Sequence, residues 1–117
     1  MRGRLALVAL ALTAFTACAR NTATFVLSND SKDPIRSAVV EATGSVVELG
    51  RIEPGKSATG VLEVSGDGEY HITVRFQSGR VLDRRMGYVT SGFDFGVEFS
   101  VSEADIVLKK SEASKSY

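Results

Sequence analysis

The 117-residue chain has no tryptophan, one cysteine, one histidine and two prolines. A single cysteine excludes an intramolecular disulfide framework, so packing alone must hold the fold. One histidine and one cysteine are too few of the usual ligands for a zinc-type centre. Basic and acidic side chains balance at 14 each, so no global field draws the chain to nucleic acid. No apolar run approaches the roughly 20 residues that a membrane-spanning helix requires. After residue 18, no stretch repeats apolar residues at helical spacing over three turns.

The first distinctive feature present is at the N-terminus. Arg2 and Arg4 precede an apolar run from Leu5 to Phe15, the charged and hydrophobic parts of a secretory signal helix. Thr16 and Ala17 follow, then the sole cysteine, Cys18. Phe15-Thr16-Ala17-Cys18 resembles the lipobox of bacterial lipoproteins, with Phe15 where leucine is usual. The resemblance covers the first 18 residues. It implies cleavage after Ala17, diacylglycerol on the Cys18 sulfur and acylation of the new N-terminus. A thiolate is the natural nucleophile for lipid attachment, and three acyl chains exceed the two-signal threshold for stable anchoring. Ala19 after the cysteine, in place of aspartate, implies by analogy with enteric bacteria an outer-membrane location facing the periplasm.

The chain thus divides into a signal peptide at 1–17, a lipidated tether at 18–22, a folded domain at 23–110 and a loose polar tail at 111–117. Without Arg2 and Arg4 the mature chain has 12 basic and 14 acidic residues, a formal charge of −2. A mature chain of this size buries about two-thirds of its unfolded surface, enough for one modest core.

The domain reads as about eight short strands separated by turn formers. In "EYHITVRF", Tyr70, Ile72, Val74 and Phe76 alternate with polar residues; in "GFDFGVEFSV", Phe93, Phe95, Val97, Phe99 and Val101 do. A period of two predicts one buried and one wet face. Phe76, Phe93, Phe95 and Phe99 are expected at the centre of the core. The pattern predicts an all-β fold, an antiparallel β-sandwich of 7–8 strands with immunoglobulin-like organisation; a transthyretin-like sandwich or small barrel is the alternative.

"GRIEPGKS", Gly50 to Ser57, matches the phosphate-loop pattern. A working phosphate loop feeds into a helix whose N-terminus receives the anion. Here the following sequence is strand-like. Little ATP is available beyond the cytoplasmic membrane. Glu53-Pro54-Gly55-Lys56 instead suits a type II turn, with Pro54 fixing φ and Gly55 supplying φ > 0. The expectation is a Pro-Gly hairpin with Ile52 pointing inward, Lys56 in solvent and no nucleotide.

His71 is expected on a wet strand face as a surface residue, and no serine sits in a nucleophile elbow. Nothing in the spacing selects a carboxylate pair, so no enzyme activity and no cofactor other than the covalent lipid are expected. The least regular strand is "RVLDRRMGYV". Leu82, Met86 and Tyr88 would share a face with Arg84, and Val81 and Val89 the other face with Asp83 and Arg85. A bulge or a charge-guarded edge strand accounts for this. Arg80, Arg84, Arg85 and Tyr88 are the candidate contact residues for an envelope protein partner. The sequence reading is a lipid-anchored envelope protein with an interaction or structural sandwich. The alternative is a periplasmic small-ligand binder or enzyme inhibitor acting through the loop Asn29–Pro34 or Tyr88–Phe93.

Overall fold

A computed structural model describes residues 22–89 and 95–113. The signal segment, Cys18 and Phe93 lie outside the described residues, as does the Phe95 side chain. Eight strands form: β1 (Thr22–Asn29), β2 (Ile35–Ala42), β3 (Ser45–Leu49), β4 (Ser57–Glu63), β5 (Gly68–Phe76), β6 (Val81–Val89), β7 (Phe95–Val101) and β8 (Ile106–Ala113). They pack as two four-stranded sheets, ordered β4-β1-β7-β8 and β3-β2-β5-β6. β8 continues into the segment expected as tail, because Ala113 still pairs with Phe95.

The all-β sandwich is the one expected, with two refinements. Five of the six strand pairings are antiparallel, but β1 and β7 run parallel, Phe25 opposite Val97 and Leu27 opposite Phe99. The sheet order is that of the transthyretin-like alternative, not the ABED/CFG order of an immunoglobulin constant domain. The cause is connectivity. Local hairpins join only β2–β3, β5–β6 and β7–β8; the other described connections pass from one sheet to the other. The β2–β3 hairpin is tight, with Thr43 and Gly44 both at positive φ (50° and 85°), as a two-residue primed turn requires.

The described side chains of the two alternating segments lie as expected. Tyr70, Ile72, Val74 and Phe76 are buried, as are Val97, Phe99 and Val101. The centre of the described core is Phe25, Tyr70, Phe76 and Phe99. The Tyr70 and Phe99 rings meet edge to face, centroids 5.1 Å apart. Phe25 was not anticipated as a core centre. It fits because Gly60, on the paired strand, leaves room for its ring.

Gly50 to Ser57 forms the connection from β3 to β4 and so crosses between the sheets; it is not a hairpin within one. Its turn is as read: the Lys56 N–H donates to Glu53 O at 3.0 Å, and Gly55 has φ 81°. Ile52 is buried and bridges Ile35, and Lys56 is exposed. The segment runs directly into β4, so the helix N-terminus that a phosphate loop needs is replaced by a strand.

Candidate functional site

The sandwich has two ends. At one lie the start of β1, the end of β4, the β2–β3 turn and the β4–β5 loop. Thr22 pairs with Glu63, and Ser65 N–H donates to Thr43 Oγ1 at 3.2 Å. The opposite end carries residues 30–34, 50–56, 77–80 and 102–105.

Asn29 organises that opposite end. It is fully buried at the last position of β1. Its Nδ2 donates to the carbonyl oxygens of Asp33 and Ile52, both at 3.0 Å. Its Oδ1 accepts from the Ser31 N–H at 3.0 Å and from Ser31 Oγ at 2.6 Å. Its backbone exchanges bonds with the Pro-Gly turn: Gly55 N–H donates to Asn29 O, and Asn29 N–H to Lys56 O. One side chain therefore ties the β1–β2 loop to the β3–β4 crossover, which satisfies polar groups that burial would otherwise leave costly. In the sequence Asn29 was only the first of a run of turn formers.

Of the four candidate contact residues only Arg80 and Arg84 gather, on the β7–β8 loop. Arg80 stacks its guanidinium over the Phe76 ring, 5.1 Å from the centroid, and donates to Glu103 O. Arg84 Nε donates to Asp105 Oδ1 at 2.7 Å. These two arginines clasp edge strand β6 to the β7–β8 loop of the facing sheet. Arg85 lies on the outer face beside His71 and Glu41. Tyr88 is 63% exposed at the far end of β6 and hydrogen-bonds Asp67. The face assignment of Tyr88 and Val89 is reversed from the sequence reading. Tyr70 pairs with Met86 and Gly68 with Val89, so β6 carries one extra residue. Gly87, at φ 75°, absorbs it as a bulge, which turns Tyr88 out and buries Val89.

Hydrogen bonds across the opposite end set the local electrostatics. The Lys32 N–H donates to Glu103 Oε2 at 2.8 Å and holds that carboxyl below its ordinary value. The Ile106 N–H, then Arg84, do the same for Asp105.

His71 is not an isolated surface residue. It is half-buried on the outer face of the β3-β2-β5-β6 sheet, between two carboxylates. Nδ1 lies 3.0 Å from Glu41 Oε2 and Nε2 lies 2.6 Å from Asp83 Oδ1. Only the doubly protonated ring donates to both. With Thr43, Gly44, Glu69 and Arg85, His71 and Glu41 line an open polar concavity of about 290 Å³. Among the described residues no group of three ligating side chains could hold a metal ion, and no helix is long and apolar enough to cross a membrane.

No protein-family model matches the sequence, and no curated protein matches it. The fold is similar to solved structures. A protein from Eubacterium rectale, solved by NMR, is 18% identical with a TM-score of 0.56, covering 76% of this chain and 87% of that one. A candidate cell adhesion protein from Bacteroides ovatus is 9% identical with a TM-score of 0.51, covering 99% of this chain and 50% of that one. The tip fimbrial protein Mfa3 from Porphyromonas gingivalis is 8% identical with a TM-score of 0.51, covering 79% and 51%. The chain thus spans about half the length of the latter two. At these identities the likeness is one of fold.

Proposed function

We propose that this chain is a lipoprotein of the bacterial cell envelope, anchored through acyl chains on Cys18, whose sandwich serves as an interaction or structural module in the periplasm. The observation that carries the reading is Phe15-Thr16-Ala17-Cys18 at the end of a signal-like segment, with the fold beginning shortly after it. β1 starts at Thr22, only four residues beyond Cys18. Four Cα–Cα steps reach about 15 Å at most. Acylated at Cys18, the domain is held with the start of β1 close to the bilayer. The Asn29-organised end stands about 25 Å further out, the length of an eight-residue strand. Among the described residues the outer edges of β3, β4, β6 and β8 have no paired strand and offer pairing surfaces. The shared fold with a tip fimbrial protein is consistent with an envelope role by analogy alone.

A second reading, a binder of small ligands or a periplasmic enzyme inhibitor, is favoured by one observation. The Asn29–Pro34 loop is pinned by buried hydrogen bonds, and loops held rigid in this way bind at low entropic cost. Fractionation tests the anchored reading: the protein is expected in the membrane pellet and Cys18→Ala in the soluble fraction. Equal pelleting of both would sink the anchor.

A further inference from the structure

Three arginines converge on the outer face of the β3-β2-β5-β6 sheet, at the end away from β1's start. Ile35 and Ile52 bridge in antiparallel register, which sets Arg36 opposite Arg51. On the other side of β2, Ile35 pairs with Phe76 and Ser37 with Arg75, so β2 carries one extra residue there. Ile35 and Ala38 both point inward and are buried. Arg36 and Ser37 therefore both face outward, opposite Arg75. Ile52, Val74 and Phe76 are buried, and Arg51 and Arg75 are exposed. Arg51, Arg36 and Arg75 thus form a row across three neighbouring backbone segments, about 10 Å from first to last at the usual strand spacing.

Internal pairing accounts for one member of the row only. Arg51 is bonded to Glu53. Arg36 and Arg75 have neither an ion pair nor a hydrogen bond among the described residues, unlike Arg80 and Arg84. Like charges set side by side across strands oppose the sheet. The neighbouring row inward holds Glu48, Val39, Thr73 and Asp83, so the basic stripe is narrow and bounded by acid.

We propose that Arg36, Arg51 and Arg75 form a binding site for an acidic polysaccharide, a glycan chain with carboxylates spaced along it. Guanidinium forks pair carboxylates in two-point geometry. A flat sheet face accepts an extended polymer. Ser37 and Thr73 place hydroxyls beside the arginines for sugar hydroxyls. A densely charged polymer such as polyphosphate or nucleic acid needs a broad basic field, and a chain of 14 basic and 14 acidic residues with Glu48, Glu53 and Asp83 at the stripe does not supply one. The site stands on the fold; only its orientation away from the bilayer rests on acylation at Cys18.

The test uses the full-length protein in detergent micelles and polygalacturonate as the probe, with neutral dextran and polyphosphate as comparisons. Binding of polygalacturonate is expected, weakening as salt rises, with dextran unbound. The Arg36→Gln/Arg75→Gln variant is expected to bind roughly tenfold more weakly or worse, the loss of two charge-assisted contacts. Its melting temperature is expected to be unchanged or higher, because a like-charge contact is removed. Undiminished binding by the variant, or a lower melting temperature, overturns the site. Polyphosphate bound tighter than polygalacturonate overturns the glycan assignment. Cys18→Ala is expected to bind as wild type does, which separates this result from the fate of the anchor.

Discussion

Asn29 Nδ2 donates to the carbonyl oxygen of Ile52 at 3.0 Å, and this bond joins the end of the first strand to the crossover between the sheets. The same nitrogen holds Asp33 O, and the side-chain oxygen holds Ser31. Removing the amide leaves the buried Ser31 N–H without its partner and takes one of two bonds from each of the Ile52 and Asp33 carbonyl oxygens. Asn29→Ala is expected to destabilise the domain by about 2–4 kcal/mol. Urea unfolding monitored by circular dichroism measures it. A loss below about 0.5 kcal/mol, the range of ordinary surface substitutions, would mean that water satisfies these groups.

Gly60 sits over the Phe25 ring. A Cβ there would lie 2.7 Å from Phe25 Cε2 and 3.1 Å from Val47 Cγ1. Phe25 is fully buried, so its ring moves only by displacing core neighbours. Gly60→Ala is expected to cost about 1–3 kcal/mol by overpacking, read as a lower denaturation midpoint with the slope unchanged. Gly50→Ala, where nothing lies within 4 Å of an added Cβ, is the comparison and is expected to be tolerated.

The Tyr70 hydroxyl is buried and has no hydrogen-bond partner among the described residues. Tyr70→Phe removes that unsatisfied group with little change in shape and is expected to stabilise the domain by about 1 kcal/mol. Burial also raises the ionisation of the folded-state phenol above its ordinary value. The unfolded chain loses this proton first, near pH 10. The contribution is therefore complete below about pH 10 and is lost as pH rises from there through the folded value. Tyr70→Phe is expected to unfold less steeply above pH 10 than wild type. Tyr88, whose bond to Asp67 also raises it, adds to the slope in both proteins. Unfolding curves at pH 8 and pH 11 decide. A variant less stable than wild type at pH 8 would show that the hydroxyl has a partner.

Much of the fold was legible in the sequence where one strand decides its own burial. The period-two runs of β5 and β7 place Tyr70, Ile72, Val74, Phe76, Val97, Phe99 and Val101 inside. The Pro54-Gly55 turn was legible because proline and glycine each fix one dihedral. Features that depend on distant partners were not. The parallel pairing of β1 with β7 joins residues some 70 positions apart in the chain, and no local pattern encodes it. The bulges at Arg36 and Gly87 shift the alternation by one, which misplaced Tyr88 and concealed the arginine row. The role of Asn29 depends on Ile52 and Gly55 folding back onto it. The sequence reading of the arginines rested on nearness along the chain. Arg80 and Arg84 turn to the β7–β8 loop and Arg85 to the outer face, whereas Arg36, Arg51 and Arg75 are scattered along the chain and lie on adjacent backbone segments.

The central claim is that Cys18 carries the lipid that sets the position of the sandwich. Mass spectrometry of the N-terminal peptide of the protein purified from its native membrane tests it most directly. The expected result is a chain that begins at Cys18, with diacylglycerol on the sulfur and an acyl group on the amine. A chain that begins at another residue with Cys18 unmodified would contradict it.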